Sequence, residues 1–534
     1  MAHTSEQEFG KFRSLIWPVH GHELRKLVPL LMMMFFISFN YNILRNMKDA
    51  LIVTAASSGA EVIPFLKVWA MLPMAFLMTY IFTRFSNRLS REHVFYAMMA
   101  LFLGFFFIFT FILYPARDAL HPHAFANYLQ TILPEGLNGL IAMIRYWTFT
   151  MFYVMAELWG TMILFVLFWG FVNQVTWTAE AKRFYVLIGL AANFASIPSG
   201  QISKWFSRIT YNPNFIFGND AWGQSLVYLT VAIICSGLLC VTCFRWFNHH
   251  IVSQPGQCAD HVAKGFEKPK IKMSMRETFA YLSRSKYLIC IALIVLTYNI
   301  VINLVEVLWK DQVKQLYPNP GDYNAYMSNI TMITGVIATL TAIFISGSAI
   351  RKFGWTFAAM IPPVILLITS VGFFGFLLFP NELLSVIVTL LGTTPLALVV
   401  FFGSAQNCLS RASKYTLFDA TKEISFTPLS QECKLKGKAA IDGVGSRLGK
   451  SGGSIMLQGL LLIFTTLTAG APYVAVILLV AIVIWIFSAR ELGKEFNSLV
   501  ASQQSIKIPD TGSAPATVVP AMPISNSSGN QGSI

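Results

Sequence analysis

Charged side chains are scarce in this sequence. Of its 534 residues, only 12% are charged, whereas 55% are hydrophobic and the mean hydropathy is +0.59. A soluble globular chain devotes about a quarter of its residues to charge. The scarcity therefore excludes a soluble enzyme and predicts a polytopic membrane protein.

Cysteine is also sparse, with 7 residues in the whole chain. Because this number is odd and most of the cysteines lie within apolar runs, a disulfide framework is excluded. Cys240 and Cys243 have Cys-x-x-Cys spacing, but no second pair of ligands lies nearby, and we expect them to pack between helices. The histidines form no cluster suited to a metal, so we expect neither a metal nor a cofactor.

The sequence lacks the alternation of apolar and polar residues that marks membrane β-strands. It contains instead a series of continuous apolar runs, each long enough at about 20 residues to cross a bilayer as a helix. The predicted spans are 27–47, 62–83, 93–115, 146–172, 184–203, 223–244, 287–309, 325–348, 355–379, 382–408, 448–467 and 472–489. We therefore predict an all-α polytopic membrane protein with twelve transmembrane helices.

Lysine and arginine are concentrated in alternate loops. The segment before the first span is basic, as are the loops after the second, fourth, sixth, eighth and tenth spans, whereas the opposite loops are poor in cations or balanced by acids. By the positive-inside rule, both termini are cytoplasmic. The net charge of +14 thus reflects orientation, and we expect no nucleic-acid partner. The first residues, with Glu6 and Glu8, resemble neither a signal peptide nor a transit peptide, which favours the inner membrane of a bacterium.

The longest polar linker before the tail divides the spans into six and six. Weak correspondences relate the two groups: Arg88 and Arg351 each follow the second span of a half, and FWG at 168–170 resembles FFG at 401–403. Parallel repetition of two six-helix halves is typical of a major-facilitator-like transporter. We predict a cytoplasmic N-terminal segment (1–26), an N-terminal half (27–248), a cytoplasmic linker (249–286), a C-terminal half (287–490) and a disordered cytoplasmic tail (491–534).

A polar stripe ends the first span and returns in the seventh. The tripeptide Tyr-Asn-Ile occurs at 41–43 and again at 298–300. Superposing the two copies places polar residues at helical positions i, i+4 and i+7 of both spans, on one helix face. Such a stripe must face protein or water, because its groups would be unpaired in lipid. The matched pairs are Asn42 with Asn299, Asn46 with Asn303, and Asp49 with Glu306.

Ionisable residues within spans are rare and usually functional. Glu157 lies in the middle of the fourth span, where it either pairs with a cation structurally or couples transport. Glu306 and Lys310 continue the stripe of the seventh span. Lys67 lies near the start of the second span, and the sequence leaves open whether it extends to the interface or has a function.

Cations within and beside the spans suggest an anionic substrate, because Lys and Arg bind phosphate by charge and hydrogen bonding. Lys48 lies in the outer half of the first span, where the positive-inside rule does not explain it, and Val305 occupies the matching position of the seventh. The other cations of this group are Arg45, Lys414, Lys422, Arg447 and Lys450.

The glycine-rich stretch 443–453 ends in Gly-Lys-Ser, as a P-loop does. The required glycine five residues before Gly449 is absent, since position 444 is Val, and an apolar helix follows with no parallel-sheet pattern before it. We therefore do not expect ATP hydrolysis at this stretch. Its glycines and Lys450 could still let a helix start approach a phosphate closely.

Five segments of the chain are distinctive. They read LRNMKDALIVT (44–54), ELWG (157–160), EVLWK (306–310), KGKAAID (436–442) and LGKSGG (448–453). In these segments the chain resembles the nucleotide transporter family, the ATP/ADP translocases of obligate intracellular bacteria and of plastids. The resemblance implies twelve helices in a major-facilitator-like fold and exchange of external ATP for internal ADP. It also implies that the family's transport-critical residues fall at Lys48, Glu157, Glu306 and Lys450, with Lys438 as a competing match for the second lysine.

We therefore predict a secondary antiporter, not an enzyme, that exchanges ATP and ADP by alternating access. Its predicted partners are ATP, ADP and the lipid bilayer, with phosphate left open, and we expect a monomer. Alternatives are a proton-coupled nucleotide importer or an NAD carrier of the same family, a membrane-embedded transferase, and a receptor without transport. The predicted substrate ligands are Lys48, Arg45, Asn173, Asn299, Asn303, Arg447 and Lys450; the predicted coupling and gating residues are Asp49, Glu157, Glu306, Lys310 and Lys438.

Overall fold

The computed structural model describes residues 17, 19–252, 285–344, 346–379, 392–429, 437–438, 441 and 446–507. Within these ranges all regular secondary structure is helical, with no strand. Ten helices are long and apolar enough to cross a membrane, and Leu448–Phe464 is a shorter apolar helix. The prediction of an all-α polytopic membrane protein is confirmed.

The described residues contain twelve long helices, numbered here in chain order. They are α1 Leu24–Val53, α2 Val62–Arg88, α3 Arg91–Leu113, α4 Trp147–Val175, α5 Thr178–Ser207, α6 Ala221–Val252, α7 Lys286–Leu316, α8 Pro320–Phe344, α9 Ser346–Leu378, α10 395–425, α11 Ser446–Phe464 and α12 Leu467–Lys507. Short helices, among them Arg117–Leu120 and His123–Ile132, lie between α3 and α4. The helix α9 is interrupted at Gly354, whose φ is +83°.

Successive helices run in opposite directions, so the molecule has two ends. The end where α1 begins and α12 ends is called the tail side. The end that carries the connections 54–61 and 465–466 is called the loop side. Residues 252 and 285 both lie on the tail side. The stretch 253–284 between them, which forms most of the predicted linker 249–286, lies outside the described residues.

The tenth helix lies further along the chain than the predicted span 382–408. It begins at Pro395, with the Thr394 side chain accepting a hydrogen bond from the Ala397 amide, and continues without interruption to Ser425. Polar residues such as Ser410 are buried against protein rather than exposed to lipid, which allows the helix to continue beyond its apolar part. Arg411 therefore lies inside the bundle and not in a loop.

The last helix also differs from its prediction. It continues to Lys507, past residue 490, where the predicted disordered tail begins. Lys286 Nζ lies 3.0 Å from Glu491 Oε2, and the rings of Trp355 and Phe496 stack with centroids 5.3 Å apart. These contacts with α7 and α9 explain why the helix continues. Residues 508–534 lie outside the described part.

Five of the described helices contain a π-helical segment. Three segments lie near ionisable residues of the spans, namely Leu66–Ala70 in α2, Trp159–Phe168 in α4 and Lys414–Phe418 in α10. The other two are Phe109–Leu113 in α3 and Asn248–Val252 in α6. A π turn carries one extra residue and weakens backbone hydrogen bonding, and such turns occur frequently at functional sites.

The two six-helix halves pack closely through α5 and α8. A Cβ atom built on Gly200 of α5 would lie 2.6 Å from the carbonyl oxygen of Ser328 in α8, so only glycine permits this approach. Hydrogen bonds continue the contact, since Asn324 Nδ2 donates to the hydroxyls of Ser203 and Ser207 at 3.2 and 2.7 Å. Small residues and short polar side chains of this kind hold membrane helices together.

Candidate functional site

The charged end of α1 lies against α4. Lys48 Nζ is 3.0 Å from Asp49 Oδ1 and 3.0 Å from Glu157 Oε1, and it lies 3.7 Å from the centroid of the Tyr153 ring. The Lys48 side chain is only 2% exposed. Its charge is therefore balanced by two carboxylates and an aromatic face, as a buried ammonium requires.

Asp49 links the two halves. Asp49 Oδ2 lies 2.8 Å from Lys310 Nζ on α7. The same Nζ lies 3.1 Å from Oε1 of Glu306, one turn earlier on α7. Asp49 and Lys310 are both almost completely buried. This ion pair thus joins α1 to α7 in the interior of the bundle.

Glu306 is surrounded by cations from three helices. Besides Lys310, Arg411 Nη2 of α10 lies 3.3 Å from Oε1, and Lys67 Nζ of α2 lies 3.8 Å from Oε2. Lys67 also donates a hydrogen bond to Asn303 Oδ1. A single carboxylate therefore lies where positive charges from both halves converge.

These seven charged residues form one connected group, called here the central ionic network. Its members are Lys48, Lys67, Lys310, Arg411, Asp49, Glu157 and Glu306. Four cations face three carboxylates, so the formal charge of the network is +1. Because charges within a bilayer need partners, this surplus favours the binding of an anion.

Arg45 lies beside the network, on the same helix as Lys48 and Asp49. Its Nη2 donates to Thr331 Oγ1 of α8 at 3.1 Å, and Asn46 Nδ2 donates to the same hydroxyl at 3.1 Å and to Ser328 Oγ at 3.3 Å. Asn42 Nδ2 donates to Ser196 Oγ of α5 at 3.1 Å. The polar stripe of α1 therefore faces protein, and much of it contacts the opposite half.

The stripe of α7 meets α11. Asn303 Nδ2 donates to the Lys450 carbonyl oxygen and to Ser454 Oγ, both at 2.9 Å. Asn299 Nδ2 donates to the Val295 carbonyl oxygen at 2.7 Å, and a Cβ atom on Gly449 would lie 2.7 Å from Asn299 Cβ. The Lys450 side chain is exposed. The start of α11 thus lies directly beside the network.

Two predicted site residues, Asn173 and Lys438, have described contacts away from the network. Asn173 is exposed and accepts a hydrogen bond from the Tyr185 hydroxyl, 16 residues and roughly 24 Å along α4 from Glu157. Lys438 Nζ lies 2.5 Å from Oε2 of Glu423, which is in the last turn of α10 at the tail side. The Arg447 side chain lies outside the described residues.

Sequence reasoning missed Arg411 and Tyr153 as members or neighbours of the network, and it left the role of Lys67 open. Lys67 lies near a span end, where extension to the interface was an equal alternative. Arg411 lies just beyond the predicted tenth span, in a position that the positive-inside rule explains. The available signal was the polarity of α10 itself, because a helix with that many hydroxyl groups must face protein.

The halves also meet on the loop side of the network. Lys314 Nζ donates to the Ser58 carbonyl oxygen, and Gln458 Nε2 of α11 donates to the Pro64 carbonyl oxygen at 2.9 Å. Glu157 and Lys67 are 31% and 25% exposed, so solvent reaches the network. Because the loop side is held closed by these contacts, access is expected from the tail side.

Residues 2–496 match the sequence model of the family described as TLC ATP/ADP transporter. The chain belongs to this family. It is similar to ADP,ATP carrier protein 1 of Chlamydia pneumoniae, with 46% identity over 518 residues, covering 97% of this chain and all of the relative. It is also similar to ADP,ATP carrier protein 1, chloroplastic, of Arabidopsis thaliana, with 42% identity over 503 residues, covering 92% of this chain and 79% of the relative. The TLC family is a transporter family, which confirms that the chain is a transporter and not an enzyme.

The fold of this TLC family member has a counterpart among solved structures. It is similar to a bacterial homologue of the iron transporter ferroportin in an inward-facing state, with a TM-score of 0.50 over 88% of this chain and 98% of that chain. The sequences are 12% identical, so the likeness concerns the fold alone. The major-facilitator-like architecture is confirmed.

Proposed function

We propose that this TLC family member is an ATP/ADP antiporter that imports ATP in exchange for ADP across the inner membrane of a bacterium. The relatives at 46% and 42% identity are ADP,ATP carrier proteins. The observation that carries the proposal for this chain is the cation-rich central ionic network, which joins both halves in the middle of the bundle. A multiply charged anion fits that surplus of positive charge.

Nucleotide phosphates would bind by replacing carboxylates as the partners of the network's cations. Each phosphate oxygen can accept a charge-assisted hydrogen bond from an ammonium or guanidinium group. Lys48 becomes available only when Asp49 or Glu157 separates from it, because both hold it at 3.0 Å. The nucleotide therefore competes with the protein's own acids for the same cations.

That competition supplies the coupling between binding and conformational change. The ion pair of Asp49 and Lys310 joins the halves toward the loop side, and it has to separate before that side can open. Breaking a buried ion pair costs about 3–5 kcal/mol when its charges find no new partner. Nucleotide phosphate offers Lys310 such a partner, so the bound ligand stabilises the open arrangement more than the closed one. When the site is empty, no phosphate replaces Asp49 as the partner of Lys310, so the conformational change is unfavourable. The empty carrier therefore rarely changes conformation, and import of one nucleotide requires export of another.

The remaining ligand assignments rest on the geometry around α7 and α11. Arg45 and Lys450 are the proposed further phosphate ligands, with Arg45 beside the network and Lys450 at the start of α11. Asn299 and Asn303 are proposed to hydrogen-bond base or ribose. Asn173 is not retained as a ligand, because its position on α4 is far from Glu157.

The proposed orientation places the tail side in the cytoplasm. The predicted basic loops at the tail side support this orientation. We further propose that the N-terminal half, the linker and the C-terminal half are arranged as the sequence predicts and that the monomer is the transport unit. Co-transport of phosphate is a separate question, which the same assay answers when labelled phosphate is supplied.

The direct test uses purified protein in liposomes preloaded with ADP or left unloaded. Labelled ATP should accumulate rapidly in loaded vesicles and only slowly in unloaded ones, and the rate should vary little between pH 6 and pH 8 because exchange needs no proton. ATP uptake into unloaded vesicles that increases with an inward proton gradient would replace exchange by proton-coupled import. Competition by GTP and NAD defines the selectivity, and recovery of intact ATP excludes a transferase.

A further inference from the structure

We propose that Lys67 and Arg411 form a clamp for the terminal phosphates of the nucleotide and that the Glu306 carboxylate occupies the position of a phosphate between them. This assignment deepens the proposed function and rests on it. Lys67 lies on α2 in the N-terminal half, and Arg411 lies on α10 in the C-terminal half. Neither residue was identified as a ligand from the sequence.

The geometry around Glu306 is the first reason for the assignment. Lys67 Nζ lies 3.8 Å from Oε2, while Arg411 Nη2 lies 3.3 Å from Oε1, so the two cations approach different oxygens of one carboxylate. Lys310 adds a third positive charge at 3.1 Å. Lys310 is also paired with Asp49, so two carboxylates face three cations here. A di- or triphosphate chain neutralises the remaining positive charge better than a single carboxylate.

Accessibility is the second reason. The side chains of Lys67, Arg411 and Glu306 are 25%, 18% and 19% exposed, whereas Lys48 and Lys310 are nearly fully buried. An entering anion can therefore reach the clamp before it reaches the two buried lysines. Arg411 can also present two parallel N–H groups to one phosphate, a geometry that lysine cannot supply.

The backbone near both cations is the third reason. Lys67 lies within the π-helical turn Leu66–Ala70, and Arg411 lies three residues before the π-helical turn Lys414–Phe418. Such turns let a helix adjust locally without unwinding. Because the two residues belong to opposite halves, a phosphate chain held by both would bridge α2 and α10 across the central site.

The clamp predicts how affinity depends on the number of phosphates. Binding of ATP, ADP and AMP to the full-length protein in detergent is measured by isothermal titration calorimetry. Lys67→Gln and Arg411→Gln each remove a charge-assisted hydrogen bond, which lowers the affinity for ATP and ADP by about tenfold to a hundredfold. AMP has only the α-phosphate and lacks the β- and γ-phosphates, so its affinity should change less than about threefold by the same reasoning.

The Glu306→Gln variant tests the competing role of the carboxylate. Removal of the negative charge frees the clamp, so the affinity for ATP and for inorganic triphosphate should rise by about tenfold. A purely structural role for Glu306 predicts no such increase. Lys67→Arg and Arg411→Lys keep the positive charge, so they should bind ATP more tightly than the glutamine variants. Such a difference shows that lost charge, and not lost folding, lowers the affinity.

Arg84→Gln is the matched control. Arg84 lies on the same helix as Lys67, is exposed, and contacts only the Tyr80 hydroxyl among the contacts described, so its loss removes one charge without touching the network. Unchanged ATP affinity in Lys67→Gln and Arg411→Gln overturns the clamp, as does an equal loss for ATP, ADP and AMP. Failure of the wild-type protein to bind any of the three nucleotides contradicts the proposed function instead.

Discussion

The ion pair between Asp49 and Lys310 should limit movement of the carrier without nucleotide. Substituting Asp49→Asn removes the negative charge that joins α1 to α7, while Lys310 keeps Glu306 at 3.1 Å. Loss of a buried pair costs about 3–5 kcal/mol. Because Glu306 retains part of the interaction, we expect the closed loop side to lose about 2–3 kcal/mol. That amount accelerates opening without nucleotide by about 30- to 150-fold.

The assay compares uptake of labelled ATP into liposomes with and without internal ADP. The wild type should show slow uptake without ADP, and Asp49→Asn should raise that rate by the stated factor. Asp118→Asn is the control, since Asp118 is 91% exposed between α3 and α4 and only distantly contacts Arg117 at 3.9 Å. An Asp49→Asn protein that exchanges normally and shows wild-type uptake without ADP would refute this account of coupling.

A double variant separates coupling from stability. In Lys310→Gln, Asp49 keeps Lys48, and Glu306 keeps Lys67 and Arg411, so this variant should show increased uptake without ADP as well. Combining it with Asp49→Asn leaves neither member of the pair charged. Thermal stability should recover relative to the single variants, while uptake without ADP should not rise further, because both substitutions remove the same interaction.

Three further outcomes are expected. Lys48→Ala should lower the rate of exchange by more than about a hundredfold, because Glu157 then lacks its closest cation. The protein should remain in the membrane, and ATP uptake by the purified protein measures the loss. Asn173→Ala should leave exchange within about twofold, as its contact with Tyr185 lies far from the network. Burial and the neighbouring His123 lower the pKa of His121 to about 4. The Nε2 atom of His121 contacts Thr148 Oγ1 at 2.7 Å. The folded protein therefore binds fewer protons here than the unfolded chain, so stability should fall as pH falls from about 6.5 towards 4, and His121→Asn should flatten that part of the melting-temperature profile.

The sequence predicted much of the fold because membrane spans have a strong signal. Long apolar runs and alternating loop charge identified ten helices at nearly the observed positions and the start of the last helix, and the repeated stripe identified α1 and α7 as the central pair. The tenth helix was placed too early because its buried face is polar and its hydropathy is correspondingly low. Polarity inside a bundle and polarity in a loop look alike in sequence, and only packing distinguishes them.

The candidate site was predicted in part for the same reason. Asp49, Glu157, Glu306 and Lys310 lie within apolar surroundings, where an ionisable group stands out, and the structure places all four in one network. Partners across the bundle have no sequence signal. Arg411 is 105 residues from Glu306, and only the packing of α10 against α7 brings the two side chains together.

The π-helical turn of α4 changes which side chains share a face. Trp159–Phe168 interrupts the helix immediately after Glu157, and each π turn rotates the following residues by about 100° relative to a regular α-helix. The part of α4 beyond Phe168 is therefore out of phase with the part that carries Glu157. Labelling of single cysteines along α4 should accordingly show two separate helical periodicities, with a break between residues 158 and 169. A helical wheel drawn through the whole span would therefore assign the tail-side residues to the wrong environment.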